Sequence, residues 1–155
     1  MAEEIINSTS QYSDNDLVAI ATYLKSLPGQ QDATPAKAAA SVMTAGEAIY
    51  RDECSACHDL DGRGVAMLFP SLAQSSMAHA SDPTSAIRLV LRGGRSVSTA
   101  ADPTAPGMPS YGWQLNDEQV AAVLTYIRNA WQTAAAPVSA ETVGKARNQL
   151  RARTD

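Results

Sequence analysis

The run "DECSACHDLDGRG", Asp52 to Gly64, gathers both cysteines of the chain and one of its two histidines into five consecutive positions, Cys54 to His58. A C-x-x-C pair serves as a redox disulfide, as half of a zinc site, or, when His follows at once, as a thioether attachment for haem. A structural zinc site wants four ligands, usually from two such knuckles. Outside this run the chain has no further cysteine, and its only other histidine is His79. A thioredoxin-type motif wants a βαβ surround, and the flanking sequence reads as helical. The remaining reading has Cys54 and Cys57 adding to two haem vinyl groups while His58 gives the proximal nitrogen to iron.

The flanks carry helix signals and no strand alternation. "TAGEAIYRDECSACH" places Glu47 three residues after Thr44, a capping box expected to start a helix that runs into the cysteines. Gly46 and Tyr50 share one face of that helix, and the glycine invites a second helix to cross closely. "LNDEQVAAVLTYIRNAW" is the expected partner. Asn116 and Gln119 form another capping box, and Val120, Val123, Leu124, Ile127 and Trp131 recur at helical spacing. Between the two, "SDPTSAIRLVLRGG" reads as Asp82 N-cap, Pro83 at the first helical position and Gly93-Gly94 as the stop.

Four blocks, "GEAIYRDECSACHDLDGRG", "FPSLAQS", "PGMPSYG" and "LNDEQVAAVLTYIRNAW", occur in the order found in class I c-type cytochrome domains, which residues 42 to 133 therefore resemble. The resemblance implies an all-α cytochrome c fold, its helices packed around one covalently bound haem c, with first and last helices crossing at Gly46 and Tyr126. It makes the Pro70 carbonyl the group that orients His58, a hydrogen bond that also tunes the metal. Candidates for the sixth iron ligand are Met1, Met43, Met67, Met77, Met108 and His79. Met108 is favoured, because Pro106, Gly107 and Pro109 stiffen its loop and because the family places a methionine there. Met67 is expected to pack against the porphyrin, Met43 and Met77 to be filler or surface, and His79 to be a solvated loop residue. Arg92 and Arg95 are candidates for neutralising haem propionates or an acidic partner, and Trp113 for a hydrogen bond to a propionate. With His and Met filling both axial positions no substrate reaches iron, so the expected work is electron transfer and not catalysis.

"SDNDLVAIATYLKSL", from Ser13, lines up without a gap on "NDEQVAAVLTYIRNA", from Asn116: Asp14 with Asp117, Ala19 with Ala122, Tyr23 with Tyr126. A repeated final helix with no C-x-x-C-H before it suggests that residues 1 to 27 are the tail of a preceding cytochrome c-like domain. Residues 28 to 41, rich in Pro, Gln and Ala, then form a linker. Residues 1 to 28 also resemble the end of the second haem domain in the triple-haem cytochrome subunit of bacterial membrane-bound dehydrogenases, which leaves Met1 either as standing where the preceding haem's ligand stands or as an initiator. That resemblance implies a relay module that takes electrons from a dehydrogenase catalytic subunit and upstream haem domains toward quinone, in the periplasm at the outer face of the inner membrane, as part of a respiratory chain. Haem attachment in the family takes place outside the cytoplasm, whereas "MAEEIINSTS" is acidic where an export signal would be basic and then apolar. The expectation is that this chain is a piece of a longer exported protein. The rival readings are a single-haem diffusible periplasmic carrier and a haem enzyme or sensor with a labile sixth ligand.

Residues 134 to 155 form an expected C-terminal tail. "SAETVGKARNQLRART" offers a cap at Ser139 and a short helix with Val143, Ala146 and Leu150 on one side and Lys145, Arg147, Arg151 and Arg153 around it. A frayed, solvated segment is the expectation, with peripheral membrane or partner contact as its alternative. The chain's 155 residues suit one core plus tails, and a formal charge of −4 gives no reason to expect nucleic acid. No apolar run approaches the roughly 20 residues that a membrane-spanning helix needs.

Overall fold

A computed structural model describes residues 2–28 and 37–152. Met1, Arg153 and most of the expected linker, residues 29–36, lie outside the described residues. The helices are α1 (Ala2–Asn7), α2 (Asp14–Ser26), α3 (Ala40–Glu53), α4 (Ser55–His58), α5 (Ser76–His79), α6 (Thr84–Arg92), α7 (Asp117–Asn129) and α8 (Ala140–Arg151). Two residue pairs form the small antiparallel ladder of β1 (Gly94–Arg95) and β2 (Gly107–Met108), with Gly94 opposite Met108. Strands of two residues are too short to leave an alternating pattern in sequence. Among the described residues no helix is long and apolar enough to cross a membrane.

The α3–α7 crossing organises the domain. Gly46 is buried, and a Cβ there would meet the carbonyl oxygen of Ala122 and lie 2.7 Å from Tyr126 Cβ. Tyr50, one turn on, is fully buried and packs against Tyr126 and Trp131 at ring-centroid distances of 5.5 and 5.2 Å. The start of α3 differs from the sequence expectation. The helix begins at Ala40, and Thr44 lies inside it with its hydroxyl bonded back to the Ala40 carbonyl at 3.1 Å. Glu47 pairs with Arg51 one turn on instead of returning to a cap. "AAAS", residues 38–41, is strong helix-forming sequence and carries the helix upstream.

The capping box on α7 is present, with Asn116 and Gln119 bonding each other's backbone N–H groups. The helix ends at Asn129, so Trp131 is not its last apolar position. At φ 53° Trp131 turns back over Gly62, where a Cβ would come 2.6 Å from the indole ring. The helix α6 begins one residue later than the sequence suggests, with Pro83 at the N-cap and Thr84 first in the helix, while Asp82 just outside accepts from the Thr84 N–H at 2.9 Å and the Thr84 hydroxyl at 2.6 Å. Gly93 ends α6 with φ 72°, a conformation glycine adopts without steric cost.

The C-terminal segment departs most from expectation. Ser139 caps α8 as its sequence suggests, but the helix is not a frayed, solvated segment. Val143 and Ala146 are buried in the main apolar cluster with Ile87, Leu91, Val120 and Leu124, and Leu150 packs against it. The segment before α8 is stitched to α7 as well, since fully buried Thr125 accepts from the Val138 N–H at 2.9 Å. A boundary at residue 134 therefore cuts through one core. On α2, by contrast, none of the residues is buried.

Candidate functional site

Between α3, α6, α7 and the 106–111 loop lies a cavity of about 330 Å³. Cys54, Cys57, His58, Pro70 and Met108 all line it, with a largely aliphatic wall of Leu72, Val90, Leu115, Val123, Leu124 and Ile127. The two cysteines are free thiols, each partly buried. Cys54 caps the single helical turn of α4 and Cys57 lies within it, next to His58 at its end. Burial first, then the Glu53 carboxylate and Cys57, pushes the Cys54 thiol up to about 12, so it is a neutral thiol at physiological pH.

His58 Nδ1 lies 2.9 Å from the Pro70 carbonyl oxygen. A carbonyl only accepts, so Nδ1 carries the proton and Nε2 keeps its lone pair for a metal. Tyr50 reinforces this turn, its hydroxyl donating to the Asp59 carbonyl at 2.6 Å. Met108 comes from β2 and is partly buried against the apolar cluster. Its carbonyl sits over Gly93, where any Cβ would collide with it. The end of α6 and the Met108 loop thus meet at a glycine because no other residue leaves room.

The donor set suits a haem. Two thiols stand at C-x-x-C spacing beside an imidazole whose free nitrogen is fixed by hydrogen bonding, and a thioether lines the same aliphatic cavity. Other sequence candidates are not brought to it. Arg92 is exposed at the end of α6, and Trp113 is 82% exposed; neither lines the cavity. Arg95 does, with its guanidinium donating to the Ala105 carbonyl at 2.7 Å. Met67, expected against the porphyrin, sits 71% exposed at a turn, and Met77 lines the cavity in its place. His79 is not a solvated loop residue. It ends α5 with Nδ1 2.8 Å from the Ser75 carbonyl and a buried Nε2 that has no partner, and it does not line the cavity.

Two residues at the site escaped sequence reading. Tyr111 lines the cavity and donates from its hydroxyl to the Glu53 carbonyl at 2.6 Å, tying the Met108 loop to the helix before Cys54. Arg128, only 1% exposed, donates to the carbonyls of Ala78 at 2.7 Å, Ala80 at 2.8 Å and Ala136 at 3.0 Å. It holds the cavity wall at Ala78 onto α7, and burial holds its pKa below the ordinary arginine value. An arginine at the end of an amphipathic helix reads as solvated, and no local signal marks it otherwise.

A sequence model of cytochrome c matches residues 43–131. The gluconate 2-dehydrogenase cytochrome c subunit of Pantoea cypripedii is 40% identical over 159 positions, covering 95% of this chain and 36% of that one. The cytochrome c subunit of the quinone alcohol dehydrogenase of Gluconacetobacter polyoxogenes is 37% identical over 160 positions, covering 96% of this chain and 34% of that one. Its counterpart in Gluconobacter oxydans is 36% identical over 158 positions, or 95% of this chain and 33% of that one. The chain spans about a third of the length of these relatives.

Proposed function

This chain belongs to the cytochrome c family, and from that premise we propose that it holds its haem c between His58 and Met108 and relays electrons within a longer, multi-haem cytochrome subunit of a membrane-bound dehydrogenase. The observation that carries the reading is the convergence of Cys54, Cys57, His58 and Met108 on one aliphatic cavity. Haem bound there supplies a one-electron Fe(III)/Fe(II) couple, and a methionine thioether raises its potential relative to a second imidazole. Cys54 and Cys57 would anchor the group through thioether bonds, Pro70 orients His58, and the aliphatic wall would exclude water. With His58 and Met108 both holding the iron, the residues would bind and tune the group and leave no open site for a substrate.

The proposed partners follow from the relatives' names: a dehydrogenase catalytic subunit as electron source, with quinone or a terminal acceptor downstream. The proposed location is the periplasm, at the outer face of the inner membrane. Membrane attachment through α8 is not part of this reading, because its apolar face is covered by the domain itself. Residues 1 to 27 are proposed as the end of a preceding cytochrome c-like domain. The support is that α2 repeats α7 in register and cap, Ser13 with Asp16 mirroring Asn116 with Gln119. Its Leu17, Val18, Ile20, Tyr23 and Leu24 are all at least 41% exposed, as a face whose partner helix lies elsewhere would be.

The test is a redox titration of the purified holoprotein together with acid-acetone extraction. The expected result is a reversible one-electron transition and colour that stays with the polypeptide. Free extraction of the haem would overturn thioether attachment through Cys54 and Cys57.

A further inference from the structure

Arg147, on α8, lies 30 to 35 residues from everything it binds. Its side chain is only 14% exposed. Nε donates to Asp117 Oδ1 at 2.6 Å, Nη1 to the Gly112 carbonyl, and Nη2 to the Leu115 carbonyl at 2.8 Å. All three guanidinium nitrogens are committed, two of them to the backbone of the segment that joins Met108 to α7. The helix is shaped for this approach, since a Cβ on Gly144 would lie 2.9 Å from Asp117 Oδ2.

The inner side of the same segment is held independently. The Gly112 N–H donates to the Leu91 carbonyl at 3.2 Å, and the Ser110 hydroxyl donates to the same oxygen at 2.7 Å. Gly112 is therefore pinched between the end of α6 and the fork of Arg147. It lies only four positions after Met108, and Pro109 is one of the residues between them. A chain that short and stiff passes a shift at 112 on to the methionine. The clamp's arginine lies outside the residues that the cytochrome c model matches.

We propose that Arg147 is a positioning residue for the iron-ligand loop, α8 acting as an outer strap that presses the Gly112–Leu115 backbone inward and keeps the Met108 thioether on the metal. The proposal rests on Met108 being the sixth ligand. An arginine is needed because its planar fork serves three acceptors at once, which a lysine ammonium on a flexible stem does not reproduce.

The test is imidazole binding to the ferric holoprotein, read by the Soret shift, in Arg147→Lys, Gly144→Ala, Leu150→Ala and Met108→Ala variants. Arg147→Lys is expected to bind imidazole about tenfold more tightly than the unaltered protein, the scale of losing hydrogen bonds from a charged group. The weak far-red sulfur-to-iron band is expected to diminish with it. Gly144→Ala, whose Cβ displaces the Asp117 carboxylate from the fork, moves the same way to a smaller extent. Leu150→Ala loosens α8 without touching the fork, so it lowers the unfolding temperature and leaves imidazole affinity unchanged. Imidazole affinity in Arg147→Lys and Gly144→Ala within twofold of the unaltered protein would overturn the proposal, as would an equal rise in Leu150→Ala. A far-red band that survives in Met108→Ala would instead remove the ligand assignment on which it rests.

Discussion

Gly46 lies directly beneath Tyr126, so close that a Cβ on the glycine would stand 2.7 Å from Tyr126 Cβ and collide with the Ala122 carbonyl. The crowding atoms are the backbone and the root of a side chain, so neither can swing aside. Gly46→Ala is expected to destabilise the holoprotein by about 3 kcal/mol, the upper range for overpacking a close helix contact. Urea unfolding measures it, and a loss of less than about 0.5 kcal/mol would mean that the two helices separate freely.

Arg128 makes a second prediction about the same helix. Replacing it with Met leaves the carbonyls of Ala78, Ala80 and Ala136 without their donor in a buried setting. The expected loss is roughly 3 kcal/mol, together with a weaker hold on the cavity wall at Ala78. Thermal unfolding of the holoprotein checks the first part. Faster amide exchange at Met77 and Ala78 than in the unaltered protein checks the second.

The turn that leads into α6 carries a pH dependence. The Thr84 hydroxyl first, then the Thr84 N–H, holds the Asp82 carboxyl below its ordinary 3.8. A depressed folded-state pKa means that the stabilisation is fully present above the unfolded value and is lost as pH falls through the folded one. The Thr84 amide chemical shift is therefore expected to titrate with a midpoint below 3.8 and to become flat in Asp82→Ala. A midpoint at or above 3.8 would mean that the hydrogen bonds do not favour the charged form.

The Cys54 to His58 motif, the Asn116 cap and the Gly93 stop are readable from the chain because each depends on neighbours within a few residues. Pro70 and, for the larger part, Met108 enter instead through the resemblance of their blocks to the family, Pro70 meeting His58 from twelve residues away. The helix over residues 140–151 was equally visible, but its burial was not. Val143 and Ala146 are a sparse apolar stripe, and they count only because α6 and α7 present Ile87, Leu91 and Val120 to meet them. Arg147 and Arg128 read as ordinary surface charges for the same reason, since most of their acceptors are backbone carbonyls far along the chain. Arg92 and Trp113 were named for lying near the ligand loop in sequence, and nearness in sequence does not set which way a side chain faces.

The α2 helix separates a one-domain reading from a multi-domain one. None of its residues is buried, whereas the matching positions Val120, Val123 and Leu124 on α7 are almost fully covered. Amides from Leu17 to Leu24 are expected to exchange far faster than those from Val120 to Ile127 in this chain, and to become protected when a helix carrying a glycine at the position of Gly46 is supplied upstream. Equal protection in the isolated chain would mean that α2 packs on this domain.

The most direct test of the account is the absorption spectrum and redox midpoint of ferric Met108→Ala. Ligation by His58 and Met108 leads us to expect that the far-red sulfur-to-iron band disappears, that the midpoint potential falls, and that the haem stays covalently attached through Cys54 and Cys57. An unchanged band and potential would contradict it and hand the sixth position to another residue.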